Sequence, residues 1–158
     1  MIAVEVEDEA WTHALPAAAD LARRAAEAAV HGHAGEIAVL LTDDETVRDL
    51  NHRFLAKDAA TNVLAFPAGA DAGRLGDIAL AFGVCQAEAA DQAKPLADHL
   101  RHLVVHGVLH LLGYDHHGDE DAERMEALEA QILSGMNIPD PYAERTRAAA
   151  GGEADVRR

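Results

Sequence analysis

The stretch from His106 to His116, HGVLHLLGYDH, constrains the fold more than any other, because it asks for a helix and for the end of that helix within a few residues. On an α-helix, residues four apart share a face at a separation of about 6 Å, so His106 and His110 can aim both imidazoles at one cation. His116 lies six residues after His110. At about 100° per residue, a continuing helix would carry it about 120° away from that face. The helix must therefore stop, and Gly113 is where it can. Glycine accepts the left-handed conformation that ends helices, which lets the chain turn back and present His116 from a loop.

The spacing His-x3-His-x2-Gly-x2-His matches the metzincin arrangement of zinc ligands with one change: Gly107 stands where the peptidases carry glutamate. Three imidazoles plus a water make the open, catalytic kind of zinc site. A histidine pair four residues apart is weak evidence alone in a chain with ten histidines. The glycine and the third histidine at the right offsets favour metal binding over solvated or core histidines. His102, His106 and His110 are a poorer triad, since the outer two stand about 12 Å apart along the axis. His102 is then a neighbour of the site, either supporting a ligand or structural, and it is the candidate general base only because it lies one turn from His106. His117 is expected to face solvent, and Asp115 to orient a ligand imidazole or simply to be exposed.

Gly107 cannot accept a proton, so the group that peptide hydrolysis most needs is missing. A bound metal still lowers the pKa of its water toward about 7, which leaves a nucleophile for another hydrolysis. The single cysteine, Cys85, excludes an intramolecular disulfide and a cysteine-based zinc cluster. The formal charge of −15 repels polyanions, so a nucleic-acid partner would need a local basic surface. The N-terminal segment shows neither a basic leader nor a long apolar run, and a cytoplasmic protein with no membrane association is expected.

At 158 residues the chain suits one domain, expected over residues 1–143, with residues 144–158 as a disordered tail without apolar periodicity. IAVEVE alternates apolar and acidic positions, as an edge strand does. LPAAADLARRAAEAAV, from Leu15 to Val30, reads as one amphipathic helix. Ile37–Leu41 is an apolar strand, and Thr42 onward starts a helix with acids at the positive end of its dipole and a buried stripe of Val47, Leu50 and Phe54. NVLAFP and DIALAF supply two more strands. Three helices follow: VCQAEAADQA, the long helix from Pro95 to Gly113, and DEDAERMEALEAQILSG with a stripe of Met125, Leu128 and Ile132. Four strands and about five helices indicate an α+β or mixed-sheet α/β domain with a zincin-like metal helix.

HGVLHLLGYDH resembles the signature of the bacterial YbeY family, single-strand-specific metallo-endoribonucleases of ribosomal RNA maturation and ribosome quality control. LLTDDETVRDLNHRFLAKDAATNVLAFP and LGDIALA resemble two further segments of that family, so the likeness runs from about Glu36 to Tyr142. The resemblance implies an α+β fold with a mixed four-stranded sheet. It also implies one zinc ion per chain on His106, His110 and His116, and an RNA cleft between the metal helix and the strand region around Thr61 to Phe66. The partners it implies are single-stranded or precursor rRNA and the ribosome or its assembly factors; DNA is not expected. Where the family's string reads YRxKD, this chain has FLAKD: Leu55 replaces the arginine and Lys57 is retained as the candidate catalytic cation, with Ala60 replacing the family's proline. Leucine cannot make the bidentate contact that arginine makes with phosphate. The leading expectation is a zinc-dependent endoribonuclease. The rivals are a zinc-bound, non-catalytic assembly factor and a zinc peptidase.

Overall fold

Residues 1–55, 61–69, 73–114 and 118–143 are described by a computed structural model, the side chain of Leu55 excepted. The N-terminal alternation forms β1 (Ile2–Val6), with Ile2, Val4 and Val6 turned inward and the residues between them exposed. The helix expected from Leu15 to Val30 is α2 (Ala18–Val30), which starts three residues later than read; a short α1 (Ala10–Ala14), which was not expected, precedes it, and Leu15 between them is extended. Pro16 is the cause, because its ring disfavours helical geometry in the residue before it. Trp11 anchors the short α1, fully buried with its indole N–H donating to the Thr42 carbonyl at 3.0 Å.

β2 (Glu36–Thr42) is a central strand, and α3 (Asp44–Leu55) follows it directly. Asp43 caps α3 by accepting the Thr46 N–H at 2.6 Å. Hydrogen bonds from the Thr46 hydroxyl and backbone hold its carboxyl below the usual range. β3 (Val63–Pro67) and β4 (Arg74–Ala81) complete a four-stranded sheet of order β1-β2-β4-β3. β1 and β2, and β2 and β4, run parallel, whereas β3 returns antiparallel on β4. The sheet is therefore mixed, with β1 at one edge and β3 at the other. α4 (Phe82–Asp91), α5 (Leu96–Leu111) and α6 (Asp119–Ser134) bring the helices among the described residues to six, against about five expected, the addition being α1.

Because successive strand residues face opposite sides, Ile78 and Ala79 of β4 mark the two faces of the sheet. Ile78 meets α5 at Gly107. Ala79 joins Val47 of α3, Leu64 and Ala81 in a buried cluster, with Leu50 and Phe66 against it. Phe54 departs from the expected α3 stripe, being 62% exposed.

The chain forms two compact units divided after Tyr114. In the second, the buried positions of α6 are Ala122, Met125, Glu129 and Leu133, a stripe turned away from the expected Met125, Leu128 and Ile132. Glu129 is fully buried and accepts the Tyr142 hydroxyl, a partner that a count of apolar residues cannot supply. The expected tail, 144–158, lies outside the described residues.

Cys85 of α4 is fully buried, with its sulfur 3.6 Å from the Asn62 carbonyl oxygen. Desolvation, and then the Glu88 and Asp44 carboxylates, push its thiol far above the usual range. The thiol of the native protein is expected to react with an aromatic disulfide reagent about two orders of magnitude more slowly than in denaturant, because the thiolate is the nucleophile. Absorbance of the released thiolate reads the difference.

Candidate metal centre

Pro95 sets the start of α5 with φ −60° and ψ 140°, and the helix buries Leu100, Leu103, Val104, Val108 and Leu111. The same spacing that sends these side chains inward places His99, His102, His106 and His110 in a row along the helix. Successive ring centroids are 6.2, 6.3 and 4.7 Å apart. The row runs from the interior outward, with His99 and His102 buried and His106 and His110 half-buried.

At its open end the Nε2 atoms of His106 and His110 stand 3.1 Å apart. Two ligands on a tetrahedral cation with bonds of about 2.0–2.1 Å would have their donor atoms about 3.3 Å apart. The observed separation thus suits a shared cation with little adjustment of either ring.

The helix ends as the glycine predicts. The Gly113 N–H donates to the His110 carbonyl and the Tyr114 N–H reaches back to the Leu109 carbonyl, both at 3.0 Å. These paired bonds form a Schellman motif, and the glycine has φ +101°. His116, the expected third ligand, lies outside the described residues, as do Asp115, His117, Lys57, Asp58 and Ala60. Among the described residues no group of three histidine, cysteine, aspartate or glutamate side chains is placed to hold a metal. The structure therefore brings together two of the three expected ligands and sets His102 beside them.

Gly107 has a packing reason for its identity. A Cβ built there would lie 3.0 and 3.2 Å from Ile78 Cγ2 and Cδ1, so the absence of a side chain lets α5 sit close on β4. Any side chain here, the peptidase glutamate included, would require Ile78 to give by a few tenths of an ångström.

Sequence reasoning missed Glu88 of α4 and gave His99 no role. The Glu88 Oε1 atom meets His99 Nε2 at 2.8 Å and accepts from Asn62 Nδ2 at 3.0 Å. The Asn62 Oδ1 atom in turn accepts the Val63 N–H at 2.7 Å. One carboxylate thereby ties the start of β3 to the first half of α5, the two elements between which the expected cleft would lie. The only signal in the sequence is a lone glutamate among the alanines of α4, and its partner is eleven residues away on another helix. Replacing Glu88 by glutamine keeps the shape but removes the charge that strengthens both bonds. We expect a loss of about 1–3 kcal/mol of stability, read by urea denaturation.

The sequence profile of the family described as Endoribonuclease YbeY matches residues 3–137. The chain belongs to the YbeY family. Among the relatives, the endoribonuclease YbeY of Paramagnetospirillum magneticum is 50% identical, over 91% of this chain and 96% of its own length. That of Maricaulis maris is 49% identical over 87% and 88%. The solution structure of TM1509 from Thermotoga maritima superposes with a TM-score of 0.59 over 100% of this chain and 99% of its own, at 21% identity, a likeness of fold. Membership in the YbeY family agrees with the mixed four-stranded sheet described above. No helix among the described residues is long and apolar enough to cross a membrane.

Proposed function

We propose that this protein is a metal-dependent endoribonuclease that hydrolyses phosphodiester bonds of single-stranded RNA and acts in 16S rRNA 3′-end maturation and ribosome quality control in the cytoplasm. Its membership in a family named for endoribonuclease activity supports the reaction. The single structural observation that carries the metal is the convergence of His106 and His110 Nε2 at 3.1 Å. His106, His110 and His116 are proposed to hold one zinc ion, and the proposed catalytic unit runs over residues 1–143. Zinc bound there would supply Lewis acidity and an activated water.

The chain's own residues have separable tasks. The two helical imidazoles fix the position of the ion, and Gly113 ends the helix where the third ligand is needed. Lys57 is proposed to hold a phosphate oxygen and offset developing charge. His102 is the candidate proton acceptor; its burial at 2% exposure and its contact with the His106 ring suit it equally to orienting that ligand. Glu88 and Asn62 keep β3 in register with α5.

A second reading, a zinc-bound assembly factor without activity, is favoured by Leu55 at the family's arginine position and by the −15 charge. The peptidase reading is disfavoured by Gly107, which supplies no general base and packs against Ile78 of β4. The test is to measure bound metal, then incubate wild type, His110→Ala and Leu55→Arg with a 3′-extended rRNA precursor and with unstructured RNA. Cleavage that disappears in His110→Ala supports the nuclease. Equal traces in wild type and His110→Ala assign the activity to a contaminant, and activity present only in Leu55→Arg supports the assembly factor.

A further inference from the structure

Beside β3, the last strand of the sheet, α3 carries a large apolar side chain that is largely exposed. Phe54 follows Val47 and Leu50 at helical spacing, yet Val47 is fully buried and Phe54 is 62% exposed. The ring is not isolated. It meets Phe66 of β3 edge-to-face, with centroids 5.8 Å apart and planes at 68°. The Arg53 guanidinium lies 5.7 Å from the Phe54 centroid. Asp49 steadies that guanidinium at 3.3 Å. Two aromatic rings and a planar cation thus form one composite surface.

Its position links it to the histidine row. The Phe66 carbonyl and the Leu111 side chain both crowd Gly76, with Leu111 Cδ2 2.7 Å from where a Cβ would stand. Leu111 directly follows His110. Phe66 of β3 and Leu111 of the last turn of α5 thus both lie against Gly76, while the Phe66 side chain meets Phe54. A strand of RNA passing the edge of β3 would meet both.

We propose that Phe54, supported by Phe66 and Arg53, is a base-stacking subsite for single-stranded RNA, taking one nucleobase away from the scissile phosphate. Stacking on an aromatic face tolerates any base, and the neighbouring guanidinium adds a contact for the base or its phosphate. Such a subsite also answers the −15 net charge, because stacking supplies affinity that a predominantly acidic surface does not. The inference rests on the proposed RNA substrate and assigns part of how that substrate is held.

The test uses the metal-loaded protein and a set of cleavage-resistant phosphorothioate RNAs of about a dozen nucleotides, each with one abasic position. Fluorescence anisotropy gives the dissociation constants for wild type, Phe54→Leu and Phe54→Tyr. Wild type is expected to bind one abasic RNA roughly tenfold more weakly than the intact strand. Phe54→Leu, apolar but without an aromatic face, should bind the intact strand roughly tenfold more weakly and show no further loss at that abasic position. Phe54→Tyr should behave as wild type. If Phe54→Leu binds as wild type does, or loses the same factor on every abasic RNA, the subsite is overturned while the nuclease reading stands. If wild type binds none of the RNAs, both fail. If Phe54→Leu changes only the sedimentation coefficient, the surface contacts a second copy of the chain and the stacking role is excluded.

Discussion

His110→Ala is expected to abolish metal binding and to lower RNA cleavage by more than about 100-fold, while the protein stays folded. Loss of a partner that merely orients a ligand costs about 10- to 100-fold, so loss of the ligand itself should exceed that. The fold should survive because His110 is half-buried at the end of α5 and alanine is the best helix former. Two readouts separate metal loss from unfolding. Far-ultraviolet circular dichroism should be unchanged, and metal analysis should fall from one ion per chain toward none. A third readout uses linkage: at zinc concentrations about 100 times its dissociation constant, wild type gains about 2.7 kcal/mol of stability. The variant should gain almost nothing. If it keeps the thermal response to zinc, the metal is held elsewhere and the site assignment falls.

What could be read in the sequence divides along physical lines. Strand positions were legible because period-2 and continuous apolar runs report burial directly; β2 and β3 begin within a residue of where the pattern places them. The helix α5 was legible because the proline that opens it and the glycine that ends it act over fewer than five residues. The later start of α2 was equally present in Pro16, but alanine-rich periodicity masks it, and the short α1 before it carries no periodic signal. The exposure of Phe54 and the burial of Glu129 were not legible. Each depends on which neighbour the tertiary fold supplies: Phe66 at an edge strand for one, the Tyr142 hydroxyl for the other. Glu88 and His99 belong to the same class, since their hydrogen bond becomes visible only once α4 and α5 are placed side by side.

Gly107→Glu, the change that would restore the peptidase motif, is expected to prevent stable folding rather than to create a peptidase. Two costs fall on one side chain. The Cβ enters a space where Ile78 Cγ2 is already 3.0 Å away, and overpacking of this kind costs about 1–3 kcal/mol. The carboxylate then sits at a position buried against β4, where an unpaired charge costs several kcal/mol or takes up a proton. Together these approach the total stability of a domain, about 5–15 kcal/mol. Gly107→Ala separates the two costs. It gains up to about 1 kcal/mol of helix propensity but carries the same overpacking against Ile78, about 1–3 kcal/mol, so its net loss should stay within about 2 kcal/mol. Thermal denaturation of the two variants and wild type reads the contrast. A folded Gly107→Glu protein with native-like stability would mean that α5 can rise off the sheet, and that Gly107 is not what sets the depth of α5.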